Sequence, residues 1–197
     1  ALGDNVGPLL ISNKYLSEEE IQEASIAHTG KNTTAFQLLQ FAYPNQKHCK
    51  EVIFSDIENV ILSGKYDAGV IIHENRFTYE SKGLNLIKDL GAHWQQITKS
   101  PIPLGLIMIK RNLPEDLKQF VKRNIRNSLI YSRKNPTKIL PFVRSHAQEM
   151  DEKVMLAHIE LYVNDFSMDL GPNGMEACIK FFKILKENYH FHPGDFI

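Results

Sequence analysis

Two stretches of this chain carry side chains able to do chemistry. In Val70-Ile-Ile-His-Glu-Asn-Arg-Phe-Thr-Tyr79, His73 and Glu74 follow directly on the apolar run Ala68–Ile72. An imidazole with an ordinary pKa of roughly 6.5 can take a proton near neutral pH. The second stretch, Thr29-Gly-Lys-Asn-Thr-Thr-Ala35, is a polar loop leading into a helical pattern. The backbone N–H groups of Thr34 and Ala35 would be among the unpaired donors at that helix start, beside two hydroxyls. Such a turn suits an anionic or carboxylate group. On spacing alone, a threonine that merely caps its helix is the better account, and most histidines beside a strand end are structural. Position singles these residues out: Thr34 and His73 each follow a strand expected in one sheet, and open α/β sheets bind ligands outside the carboxyl ends of their strands. Gly30-Lys31 does not complete a phosphate loop, because Asn follows the lysine and the leading glycine is missing.

The remaining candidates are weaker. His28 precedes the polar loop and could orient it, and His93 beside Trp94 reads as packing. His146 and His158 fall in helical stretches, too far apart to suggest a metal pair. His190-Phe-His192 could hold a metal only loosely, and a frayed terminus accounts for it better. No His/Cys/Asp/Glu cluster has metal-ligand spacing, so no metal is expected, and no serine sits in a nucleophile elbow. Cys49 has basic neighbours, His48 and Lys50, that could lower a thiol pKa, but adjacent side chains point apart. Cys49 and Cys178 form no disulfide framework, which fits a reducing compartment.

The elements that must position these residues are well punctuated. Ser17-Glu-Glu-Glu20 and Ser55-Asp-Ile-Glu58 read as capping boxes, the second opening a short helix that stops at Gly64. Residues 24–27, 51–54 and 67–72 read as strands, with a helix over Thr34–Ala42 in which Ala35, Leu38, Leu39 and Ala42 form one stripe. Strand, helix, strand, helix, strand over 24–72 argues for an α/β sheet with right-handed crossovers. After a further strand at Leu104–Ile109 the chain is helical. Pro114 opens one helix, Asn135-Pro136 separates it from the next, and Asp151 caps a third with Val154, Met155, His158, Ile159 and Tyr162 inward. Gly171-Pro-Asn-Gly174 precedes a last helix from about Met175 to Asn188. The basic run Lys118–Lys134 is the wet face of an amphipathic helix.

The whole has 197 residues, 23 Lys+Arg against 23 Asp+Glu, and 43% hydrophobic residues. A neutral balance removes the field that a non-specific nucleic-acid or polybasic membrane binder needs, and no apolar run approaches a membrane span. The neutral balance agrees with a small-molecule substrate as partner. No secretion-type segment is visible, and a cytoplasmic protein is expected.

Ala1–Ile11, Thr33-Thr-Ala35, Asp67–Tyr79, Pro101-Ile-Pro-Leu-Gly105 and Tyr162–Gly171 occur in an order that resembles the 1,4-dihydroxy-6-naphthoate synthases, lyases of the futalosine route of menaquinone biosynthesis that act on cyclic dehypoxanthinyl futalosine. The resemblance spans the chain, and the His-Glu-Asn-Arg-Phe-Thr-Tyr block is its most specific part. It implies a two-lobed α/β fold like type II periplasmic binding proteins, with the ligand in the interlobe cleft. Residues 22–105 would form the small lobe, and 1–21 with 106–197 a large lobe left incomplete in this chain. It further implies a cofactor-free lyase in which His73 is the proton-abstracting base and Thr34 and Ala35 contact substrate through hydroxyl and backbone N–H. A solute-binding receptor of the same fold, or the sister dehydratase of the pathway, is the alternative.

Overall fold

The computed structural model describes residues 1–147 and 151–185. His190, His192 and the end of the helix expected to reach Asn188 lie outside the described residues. In chain order the elements are β1 (Leu2–Gly3), β2 (Leu9–Ser12), α1 (Glu18–Glu23), β3 (Ile26–His28), α2 (Thr34–Ala42), β4 (Cys49–Glu51), α3 (Ile57–Leu62), β5 (Ala68–Ile71), α4 (Asn75–Thr78), β6 (Asn85–Asp89), α5 (Leu90–Thr98), β7 (Ile102–Pro103), α6 (Glu115–Lys134), α7 (Pro136–Arg144), α8 (Glu152–Tyr162), α9 (Asp165–Met168) and α10 (Gly171–Leu185). The protein is an α/β fold.

A five-stranded sheet, ordered β4-β3-β5-β2-β6, is its centre. β3 runs parallel to β4 and β5, as the strand–helix alternation requires. β2 is antiparallel to both of its neighbours, β5 and β6. Residues 9–12 are thus an inner strand of the sheet. The reason is apolar content on both faces of the strand. Leu10 joins Val70, Leu39 and Trp94 in one core, whereas Leu9 and Ile11 join Ile57, Ile61 and Ile71 in the other. Alternate residues of a strand point to opposite faces, so such a strand needs cover on both. α2 and α5 lie against one core and α3 against the other.

β1 and β7 form a separate two-stranded antiparallel ribbon, Leu2 opposite Pro103 and Gly3 opposite Ile102. The chain thus passes into the sheet unit and out of it along adjacent strands. The segment leading into β2 meets α5 backbone to backbone: a Cβ on Gly7 would lie 2.2 Å from the Gly91 Cα. Only glycine at both positions allows that approach.

The helices keep most of their expected starts. Ser17 and Glu20 form the reciprocal capping box, at 3.2 and 2.8 Å. Asp151 accepts from the amides of Lys153 and Val154. The box expected at Ser55 is absent. The chain leaves β4 at Glu51, makes a single 3-10 turn over Phe54–Asp56, and starts α3 without a side-chain cap. The strand expected over 51–54 therefore ends at Glu51, where the Val52 amide donates to the His28 carbonyl at 2.8 Å. The strand expected over 104–109 is also absent. Leu104 and Gly105 donate to the Ala1 carbonyl at 2.9 and 3.1 Å, and among the described residues no strand pairs with the stretch beyond them, where Ile107 and Met108 are about four-fifths exposed.

Candidate active site

The loops at the carboxyl ends of β3, β4 and β5 converge with the start of β2 and the end of β6. Parallel pairing of β3 with β5, Ile26 opposite Ala68, puts the 29–33 loop and His73 on the same edge. Antiparallel pairing of Leu9 with both Ile71 and Asp89 brings the amino end of β2 and the carboxyl end of β6 to that edge too.

His73 turns the chain out of β5. Its φ of 62° lies in the left-handed region, uncommon for a residue with a side chain and frequent at sites where geometry is imposed. The residue is exposed, while the rings of Phe54, His158 and Tyr162 stand 5.7, 5.8 and 5.7 Å from its ring centre. Partial burial lowers the His73 pKa, a positive charge on His158 lowers it further, and Glu74 opposes both. A depressed pKa keeps the imidazole neutral at working pH, the state a base requires.

His158 and Tyr162 are one helical turn apart on α8, with ring centroids 4.7 Å apart. His158 Nδ1 lies 3.8 Å from Glu74 Oε1. Its Nε2 is buried with no partner among the described residues, and so is the Tyr162 hydroxyl. Burial raises the Tyr162 pKa, and the His73 amide, close but outside hydrogen-bond geometry, offsets part of that rise. Sequence reasoning set His158 aside for want of a metal partner. Its usable signal was the four-residue spacing to Tyr162 on the inward face of a helix that Asp151 caps.

Arg76 holds this corner rigid. It donates to Asp89 at 2.9 Å and to the Gly7 carbonyl at 2.5 Å, joining α4 to β6 and to the approach to β2. Both of its contacts are structural.

The polar loop is braced from within. Thr33 caps α2, accepting from the Phe36 amide at 3.2 Å and donating to the Gly30 carbonyl at 2.8 Å. The Thr34 hydroxyl donates to the Pro103 carbonyl at 3.1 Å, so its proton is committed to the ribbon. For a ligand, Thr34 then offers its amide and its oxygen lone pairs. Ala35 is buried within the first turn. His28, fully buried, accepts the Gly30 amide at Nδ1 (3.1 Å) and stacks on Phe36 at 4.3 Å. It orients the loop as its sequence position suggests. Burial is the largest cause of its lowered pKa, outweighing the opposing Glu51 carboxylate.

The other candidates lie elsewhere. Burial pushes the Cys49 thiol pKa up, the reverse of activation by His48 and Lys50. His93 packs edge-on against Phe41. His146 stacks on Phe142 in α7. Among the described residues no group of three or more metal-ligating side chains forms, and no helix is long and apolar enough to cross a membrane.

Comparison with known proteins finds relatives over most of the chain. A family model described as menaquinone biosynthesis matches residues 1–187. A 1,4-dihydroxy-6-naphthoate synthase of Thermus thermophilus is 38% identical over 182 residues, covering 92% of this chain. A Streptomyces coelicolor protein of the same name is 36% identical and covers 90%. This chain spans 66% and 64% of those two proteins, just under two thirds of their length. A crystal structure of an Archaeoglobus fulgidus protein superposes with a TM-score of 0.88 at 28% identity, covering 95% of this chain and 69% of that one. By the extent of these matches, the chain belongs to the menaquinone-biosynthesis family.

Proposed function

We propose that the protein is a 1,4-dihydroxy-6-naphthoate synthase, a lyase that converts cyclic dehypoxanthinyl futalosine to 1,4-dihydroxy-6-naphthoate. The observation that carries this reading is His73, held in a left-handed turn and ringed by aromatic side chains, on the sheet edge that also bears the start of α2. In this reading neutral His73 removes a proton from the bound substrate, and carbon–carbon cleavage and aromatisation follow. The amides of Thr34 and Ala35 hold an oxygen or carboxylate group. No cofactor takes part, and the substrate is the protein's small-molecule partner. The relatives named as synthases support the assignment.

The fold proposed is that of type II periplasmic binding proteins, with the sheet unit as one lobe, residues 106–185 in the other, and the site between them. The β1–β7 ribbon is what such an arrangement needs, two adjacent strands through which the chain crosses between lobes. In this reading the sheet lobe takes in the inner strand β2, Leu9–Ser12, besides residues 22–105. Closure of one lobe on the other would exclude water from the reacting carbon.

The test is incubation of the protein with cyclic dehypoxanthinyl futalosine and detection of the dihydroxynaphthoate. Product formation supports the lyase. Tight binding without turnover would instead identify a receptor of the same fold, and a dehydratase activity in place of the lyase would identify the sister enzyme.

A further inference from the structure

His73 does not stand alone as a proton-carrying group. His158 comes to it from α8, its ring nearly perpendicular to the His73 ring (71°) at 5.8 Å. The two flank Tyr162, whose ring contacts both. Each end of the Glu74–His158 pair is anchored separately. Glu74 precedes α4, which Arg76 fastens to Asp89 and Gly7. His158 sits on a capped helix whose Met155 and Tyr162 are buried. Both side chains are mostly buried, at 26% and 20% exposure.

We infer that His158 is a positioning residue for His73: held on α8 with Nδ1 3.8 Å from the Glu74 carboxylate, it competes with His73 for a single proton and leaves the His73 imidazole free to accept one from a ligand. The inference rests on the reading of His73 as the base. A carboxylate beside one imidazole nitrogen favours N–H at that nitrogen and raises the basicity of the ring. Two imidazoles this close in a partly dry site do not both charge freely, so their protonation is coupled. The charged and titratable groups around His73 are Glu74 on its own turn, His158 and Tyr162 on α8, and Arg76 on α4, the last paired with Asp89 of β6. Phe54, from the turn after β4, adds bulk without charge.

The test is an NMR titration of the imidazole Cε1–H signals in the unliganded protein, in wild type, His158→Gln and Glu74→Gln. In wild type, the His73 and His158 curves each should show two midpoints, the mark of coupled sites. In His158→Gln the His73 midpoint should rise by roughly 0.5–1 pH unit. In Glu74→Gln the His158 midpoint should fall. Independent one-step curves in wild type overturn the inference without any variant. A His73 midpoint unchanged in a natively folded His158→Gln overturns it equally. In turnover assays the acid limb of kcat/KM in His158→Gln should move upward together with the His73 midpoint, and an unmoved limb contradicts the positioning role. If His73→Ala retains turnover, the base reading fails, and the substrate-free titration still decides whether the histidines are coupled.

Discussion

The sheet region and the helical region of this protein are built on different terms. From β2 to α5, buried side chains fill two cores, one on each face of a sheet, with Leu10, Ile11, Ile26, Leu39, Ile57, Ile61 and Trp94 fully buried. In α6 and α7 no residue is buried, and Phe120, Tyr131 and Phe142 are more than half exposed. Helices α8 and α10 lie between these extremes, because each sets part of one face on the sheet region or the ribbon through Met155, Tyr162, Ala177, Cys178 and Phe181. The site follows this division. His73, Glu74, Phe54 and the 29–35 loop stand on strand ends of the rigid region, and the helical region contributes His158 and Tyr162 from the helix that packs against it. A site built this way has a fixed half, set by strand register, and a half that depends on how one helix docks.

Substitutions that treat the two regions alike should separate them. Trp94 packs edge-on against Phe41 and lies 5.4 Å from Phe181, so it ties the sheet region to α10. Trp94→Ala should cost about 3–5 kcal/mol in chemical denaturation, while Phe120→Ala should stay within about 0.5 kcal/mol. Equal losses would break the comparison. Gly91→Ala comes next. The added methyl would meet the Gly7 Cα at 2.5 Å, and overpacking of this kind should cost about 1–3 kcal/mol. The smallest effect is on pH dependence. His28, His73 and His93 all have folded-state pKa values below the ordinary 6.5, so the unfolded chain binds more protons than the folded one just below that pH. Stability from these groups is therefore present above about pH 6.5 and lost as pH falls through it. His28→Gln should flatten this acid limb in thermal melts at successive pH values, and His73 and His93 should preserve part of it. A limb of unchanged slope would show that His28 is not among its causes.

Legibility divides along the same line. α2 is found where its apolar stripe and threonine cap put it, because one local signal marks each of its ends. The α/β alternation and the shared edge of Thr34 and His73 are equally legible, since parallel pairing of sequential strands leaves little choice of arrangement. β2 is not readable in this way. Leu9-Leu10-Ile11 is a short apolar run like many others, and its place between β5 and β6 depends on pairings with residues about 60 and 80 positions later. The expected strand at 104–109 fails for the converse reason, having strand-like composition but, beyond the Ala1 contacts of Leu104 and Gly105, no strand to pair with among the described residues. In the site, His73 is marked by its own neighbours, whereas His158 becomes visible only once α8 is docked. The commitment of the Thr34 hydroxyl to Pro103 is likewise a tertiary fact.

The central claim is that proton abstraction resides at His73. Turnover of cyclic dehypoxanthinyl futalosine by wild type and by His73→Ala, with circular dichroism confirming the native fold of both, tests it most directly. The expected result is product from wild type and a loss of about 10²–10⁴-fold in the variant. A folded His73→Ala protein that turns over substrate at a near wild-type rate would contradict it.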